Sequence, residues 1–151
     1  YARQFDEAIG QFRKALEMDP DFPNTRFRLG LAYAQKKMYE GAISEFQRAL
    51  QFSGDSDAAA ALGHVYAILG NKDEAKAVLA QLKKKAEAEY VPSYDVAIIH
   101  FALGEAHEAF EWLDRAYEER CYWLIFLKVD PILDTYRSAP RLTDLIRRIG
   151  L

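Results

Sequence analysis

The strongest constraint on how this chain folds is a repeat of 34 residues. Phe5, Ala8, Ile9, Phe12, Ala15 and Leu16 return as Tyr39, Ala42, Ile43, Phe46, Ala49 and Leu50, each 34 positions on. Leu29, Gly30 and Tyr33 return as Leu62, Gly63 and Tyr66 at a shift of 33, and more loosely as Val96, Ala97 and His100 at a further 34. Leu69 and Gly70 recur as Leu103 and Gly104, and Ala75 and Leu79 as Ala109 and Leu113. A fixed period of roughly 20–50 residues signals stacked supersecondary units, each burying its apolar face on the next. Within a unit the apolar positions fall three or four apart, the spacing of one helix face, and Pro20, Gly54, Gly70 and Gly104 punctuate the pattern. The spacing predicts helices at about 3–18, 23–36, 39–52, 56–69, 72–89, 92–103 and 105–119. Pro23 and Pro92 suit a first helical turn, where no amide donor is lost, and Asp55 or Ser56 suits the cap of the fourth helix.

Small residues in this pattern have a physical purpose. Gly30, Gly63 and Ala97 are expected where the first helix of a pair crosses the second, with Ala8, Ala42, Ala75 and Ala109 facing that crossing, because backbones approach closely only over small side chains. Tyr33, Tyr66, Phe46 and Leu113 are expected to fill the wider space between successive pairs. The Leu-Gly pair with a Tyr on one helix, and alanines with a large apolar residue on the next, resemble the tetratricopeptide repeat. Leu29, Gly30, Tyr33, Ala42, Phe46 and Ala49 carry the best match. Departures are Lys37 at a usual turn glycine, Gly54 for the closing proline, Leu82 for the last alanine and His100 for the tyrosine. The resemblance implies an all-α fold, a right-handed superhelical array of antiparallel helix pairs with short C-terminal capping helices. It divides the chain into an array over 1–120 and a capping segment over 121–151. The array comprises the second helix of a truncated repeat (1–20) and repeats at 23–54, 56–89 and 91–120. Since Tyr1 falls inside a repeat, the chain reads as a piece of a longer protein, and Phe5, Ile9 and Phe12 are expected to lack part of their cover and to favour self-association through that end.

After Glu119 the period fails, and Cys121 to Leu127 form an unbroken apolar run, expected to lie on the fourth repeat near Trp112 and Tyr117. Asp130 before Pro131, and Ser138 or Ala139 before Pro140, mark the starts of two short helices. The last, with Leu142, Leu145, Ile146 and Ile149 against Arg141, Arg147 and Arg148, reads as a docked closing helix or a membrane-surface helix. The stretch from Tyr94 to Leu151 is similar to the tail of bacterial multidomain signalling proteins, in which such an array follows a winged-helix DNA-binding domain or a serine/threonine kinase domain.

Composition offers little chemistry. The net charge is −3, from 20 basic and 23 acidic residues, which leaves no basic footprint for nucleic acid. One cysteine, Cys121, forms neither an internal disulfide nor a cysteine metal cluster, and reads as an inert buried thiol in a reducing, cytoplasmic setting. No apolar run reaches the roughly 18 residues a membrane helix needs. His64, His100 and His107 lack the spacing of a zinc site and read as structural. Glu105, Glu108, Glu111, Glu118 and Glu119 read as solvated helix faces. No nucleophile, phosphate loop or cofactor motif occurs, so the expectation is a non-catalytic chain without cofactor or metal.

The partner is then expected to be a protein or peptide. Tetratricopeptide arrays line a concave surface with their first helices, and the groove positions of the resemblance fall on Asn24, Phe27, Leu31 and Gln35, then Asp57, Ala60, His64 and Ala67, then Tyr94, Ile98 and Phe101. The basic residues and asparagines with which one group of these repeats grips a C-terminal carboxylate are missing, since Phe27, Leu31, Ala60, His64, Tyr94 and Ile98 stand there. Such an apolar surface suits an amphipathic helix or an extended peptide with large apolar anchors. The alternative is that some of these side chains belong to the core of a tightly wound array.

Overall fold

A computed structural model describes residues 2–151 of the chain, with side chains from residue 4 onward. It contains α1 (Ala2–Met18), α2 (Pro23–Gln35), α3 (Tyr39–Ser53), α4 (Ser56–Ile68), α5 (Lys72–Lys85), α6 (Ser93–Ala102) and α7 (Ala106–Glu118). Two 3-10 segments, Tyr122–Phe126 and Pro131–Tyr136, lead to α8 (Pro140–Ile149), and no strand occurs among the described residues. This is the all-helical repeat architecture expected from the 34-residue period. The packing divides into two units, the first ending at Val78 and the second running from Leu79 to Leu151.

In the first unit, α2 packs on α3 and is flanked by α1, and α3 packs on α4. Ile9, Leu29, Ala32, Tyr33, Ala42, Phe46, Leu62 and Val65 form one buried cluster. Gly30 sets the α2–α3 approach, because a Cβ built there would lie 2.5 Å from the ring of the fully buried Phe46. Phe46 therefore fills the interior of its own pair, over the glycine, and not only the space between pairs. Tyr33 lies against Gly41 and accepts hydrogen bonds from Arg13 of α1 at 2.9 and 3.1 Å. Ile9 is buried, while Phe5 and Phe12 are half-buried. Arg26, 6% exposed, donates to Glu45 at 2.6 Å and to the Pro20 carbonyl at 2.8 Å, so its charge is neutralised between α2 and α3. Such a pair adds little net stability when intact, but losing one member leaves a buried charge.

The ends of α2, α4, α6 and α7 share one device. At each, an amide bonds back five residues: Met38 to Tyr33, Asn71 to Tyr66, Glu105 to His100, Cys121 to Ala116. The residue before it is left-handed: Lys37, Gly70, Gly104 and Arg120, with φ between 55° and 80°. This paired closure satisfies orphan carbonyls and turns the chain sharply. Lys37 adopts the backbone conformation that the repeat usually gives to glycine.

In the second unit α6 is surrounded, with every residue from Ser93 to Phe101 buried. It packs on α7 and on the 3-10 segment Pro131–Tyr136. Helix α6 starts at Ser93 with Pro92 as its cap residue, one position later than the proline predicted, and Glu119 from the end of α7 supplies the cap. Its carboxylate accepts from the Ser93 hydroxyl at 2.6 Å and from the Ser93 amide at 3.3 Å. Helix α5 stops at Lys85, short of the expected 89, because three-residue bonds from Glu87 to Lys84 and Ala88 to Lys85 tighten its end into a turn.

The closing segment departs from expectation in one respect. Cys121, Leu124 and Leu127 are buried, but the rings of Tyr122, Trp123 and Phe126 pack on one another, with centroids 5.7–5.9 Å apart. Trp112 takes Arg115 at 4.2 Å and Lys83 at 5.6 Å, and Tyr117 takes Arg148 of α8 at 4.4 Å. The sequence run has no period to reveal which of its faces turns inward. Asp130 and Pro131 open the second 3-10 segment, Asp130 accepting from the Ile132 amide at 3.0 Å. Helix α8 is docked: Leu142 and Leu145 are fully buried, and Arg141 and Arg148 reach Asp114 at 2.6 and 3.6 Å. No helix among the described residues is long and apolar enough to cross a membrane.

Candidate partner-binding surface

Asn24, Phe27, Leu31 and Gln35 are spaced three and four apart and so form one stripe along α2. Asn24, Leu31 and Gln35 are exposed, and Phe27 is half-buried with its ring 6.0 Å from that of Phe46. At the N-terminal end of the stripe lies a cleft of about 220 Å³. It is lined by Phe22, Pro23, Asn24, Phe27, Ala49, Ser53, Asp55 and Ala58, all within the first unit. Pro23, at the first helical position, fixes the entry of the chain into α2, and Phe22 before it is left 51% exposed. Asp55 caps α4 by accepting from the Asp57 amide at 3.3 Å. Arg28 donates to the Asn24 side chain at 2.8 Å, which orients that amide on the rim.

On α4, His64 and Asp57 are half-buried, whereas Ala60 and Ala67 are buried. The corresponding positions of α6 are all interior: Tyr94, Ile98 and Phe101 are 5%, 7% and 4% exposed. The closing segment covers Tyr94 and Phe101. The Tyr94 hydroxyl donates to Asp130, and the Phe101 ring packs 4.7 Å from Tyr136 and edge-on, at 5.1 Å, to Phe110. Arg137 holds the segment in place through the carbonyls of Leu127 and Asp130. On α6, then, the second of the two sequence readings applies, and these side chains are core; on α2 the face is open.

Several titratable groups lie in the second unit, away from the cleft. Burial pushes the Cys121 thiol up, which weakens it as a nucleophile. Burial, with Asp130 beside it, pushes the Tyr94 phenol well up. His100 is buried, its Nδ1 2.6 Å from a Glu105 carboxylate oxygen. Exposed His107 lies 3.8 Å from Glu111. Glu105 and Glu119 are thus structural partners and not merely solvated faces. Among the described residues no three His, Cys, Asp or Glu side chains gather to hold a metal ion.

Sequence reasoning missed Phe22 and Asp55 as parts of the cleft. Both are flanking residues outside the helical stripe, and only the juxtaposition of two loops brings them together. The signal available was an aromatic residue directly before a helix-opening proline.

Two family models, each described as a tetratricopeptide repeat, match the chain, one over residues 1–58 and the other over 56–84. No curated protein matches it.

Proposed function

The chain belongs to the tetratricopeptide-repeat family, whose repeats generally mediate protein–protein interaction, and from that premise we propose that it is a non-catalytic scaffold that captures a peptide or helix on the open face of α2. The observation that carries the reading is the apolar stripe of Phe27 and Leu31 running into a cleft edged by an exposed Phe22. Large apolar residues at such a position cost solubility unless a partner covers them, and a few aromatic anchors carry most of the energy of an interface. The binding residues are Asn24, Phe27, Leu31 and Gln35, with His64 on α4. Buried Tyr94, Ile98 and Phe101 are assigned to stability.

The test is affinity capture from a native extract by the chain and by a Phe27→Ser, Leu31→Ser variant. A protein retained by the first and lost by a still-helical second supports the reading, and equal recovery by both sinks it. Phe101→Ser is the contrasting control. It removes a buried ring and should cost about 3–5 kcal/mol, seen as a lower midpoint in urea, where Phe27→Ser costs far less.

The similarity of residues 94–151 to the tails of bacterial winged-helix regulators and kinases supports a second reading, a self-associating or sensory arm in a larger signalling protein. Half-buried Phe5 and Phe12 offer the surface for it. Sedimentation over a wide concentration range tests this, since a strict monomer removes the self-association.

A further inference from the structure

Helices α2 and α6 hold equivalent places in the repeat, and a segment of this chain is already seated on one of them. Tyr94, Ile98 and Phe101 of α6 stand 67 positions on from Phe27, Leu31 and Ala34 of α2, so both helices carry an apolar stripe of the same spacing. On α6, Asp130 accepts from the Tyr94 hydroxyl, and six residues later the Tyr136 ring packs 4.7 Å from that of Phe101. The seated segment therefore runs parallel to α6, from its start towards its end. It is the 3-10 helix Pro131–Tyr136, opened by Asp130, whose carbonyl accepts from the Leu133 amide at 3.1 Å. Three residues make a turn of such a helix, so Asp130, the fully buried Leu133 and Tyr136 fall on one face. Six residues of 3-10 helix advance about 12 Å, and the seven from Tyr94 to Phe101 about 10.5 Å, which keeps the two ends in step.

On α2 the stripe differs at each position in a way that bears on what it takes. Phe27 has no hydroxyl where Tyr94 has one, so the first place calls for an apolar side chain and not a carboxylate. The cleft of about 220 Å³ beside Phe27 lies at that end, with Phe22, Ala49 and Ala58 among its walls. It is below the roughly 300 Å³ at which small-molecule sites begin, and suits one side chain. Leu31 is 40% exposed where Ile98 is buried. Ala34 presents a methyl group where Phe101 presents a ring, which leaves room for a large third side chain.

We infer that α2 takes a segment of another protein in the way that α6 takes Asp130 to Tyr136. The segment is a short 3-10 helix parallel to α2, with large apolar residues three apart and a proline directly after the first of them. The inference rests on the protein-interaction reading and deepens it. Proline fixes φ near −65° and so prepares the first turn before binding, which reduces the ordering that a short segment must undergo. An α-helical partner would instead present its anchors at intervals of three and four, and an extended one at intervals of two. A second copy of this chain keeps its own segment on α6, so the partner is a different protein.

Synthetic peptides with three apolar anchors in a Ser and Gln background test the spacing. In one set the anchors stand three apart with proline after the first, in a second three and then four apart, and in a third two apart. Each is titrated into the whole chain by fluorescence anisotropy. The first set should bind about tenfold tighter than the other two, the worth of one well-seated anchor. Replacing its first anchor by Asp should weaken it by a similar factor, because Phe27 cannot donate as Tyr94 does. Leu31→Ser changes an exposed position, so it should remove the binding and leave the melting temperature unchanged. A spin label on the first residue of the peptide should broaden amide signals near Asn24 and spare those near Gln35.

Tightest binding by the α-helical or the extended spacing, or broadening near Gln35 in place of Asn24, overturns the inference and leaves the interaction reading standing. The same follows if no peptide binds in a Leu31-dependent way while capture of a protein from extract is still lost in the Phe27→Ser, Leu31→Ser variant. Capture that survives in that variant overturns the interaction reading and this inference with it.

Discussion

Gly30 shows how much of a repeat rests on a single missing carbon. Its backbone is ordinary helix, so the requirement is for space: a methyl group there would stand 2.5 and 2.7 Å from two carbons of the Phe46 ring, which is fully buried and has nowhere to retreat. Gly30→Ala gains up to about 1 kcal/mol of helix propensity and loses about 1–3 kcal/mol to overpacking. The expected net result is destabilisation, read as a lower urea midpoint at unchanged m-value. Trimming the ring in the double variant Gly30→Ala, Phe46→Leu should recover part of the loss relative to Phe46→Leu alone, and additive effects would show that the two sites do not touch. Lys37 poses the opposite case. It holds φ at 60° in a turn where Gly70 and Gly104 do the same without a Cβ. Left-handed backbone costs a non-glycine residue about 1–2 kcal/mol, partly offset by the extra entropy glycine loses on folding. Lys37→Gly is therefore expected to stabilise the chain by about 0.5–1 kcal/mol, and a lower melting temperature would contradict the argument. That departure from the repeat pattern is legible in the sequence, because the turn geometry is local and the same five-residue bond recurs after α2, α4 and α6.

At the scale of elements, α6 depends on a segment that is remote in sequence. Tyr94 donates to Asp130, thirty-six residues on, and burial with that carboxylate nearby pushes its phenol well above the ordinary value near 10. The neutral form is favoured in the fold, so this stabilisation is fully present below the unfolded pKa of about 10 and is lost as pH rises beyond it. The raised Cys121 thiol acts in the same direction, beginning from its lower unfolded value of about 8.5. Denaturation midpoints measured from neutral pH to about pH 11 should fall with rising pH, and Tyr94→Phe should flatten the upper part of the fall. At neutral pH the same variant should cost about 1–3 kcal/mol, because a hydrogen bond to a charged group is lost and the Asp130 oxygen is left without it. An equally steep profile in Tyr94→Phe would assign the dependence elsewhere. This coupling explains what the sequence could and could not reveal. The helices α1 to α7 follow from three- and four-residue spacing. Tyr94, Ile98 and Phe101 carry the same spacing whether a groove or the closing segment faces them. Only the path of residues 121–139 decides, and an aperiodic run such as Tyr122-Trp123-Leu124-Ile125-Phe126 does not encode which side turns inward.

For the molecule as a whole, repeat stability is nearly a sum over neighbours, so damage at one end should stay near that end. The closing segment supplies the fully buried Leu127 and Leu133, the Tyr136 ring on Phe101, and α8 with Leu142 and Leu145. Ending the chain after residue 120 would strip all of these from α6 and α7 and present Tyr94, Phe101 and Phe110 to water. At roughly 25 cal/mol for each Å² of apolar surface, and about 1.5–3 kcal/mol for each large side chain, that exposure exceeds what a small packing unit can lose and remain folded. Amide hydrogen exchange is the measurement that separates local from global failure. The truncated chain should lose protection through α6 and α7 and bind a hydrophobic dye, while amides of α2 and α3, around Gly30 and Phe46, keep protection of the same order as in the intact chain. Uniform loss in both regions would mean that the fold is one cooperative block, and that the open face of α2 is also maintained by the closing segment. Retention in the first unit would mean that the face proposed for partner capture stands on Phe46, Gly30 and the Arg26–Glu45 pair alone.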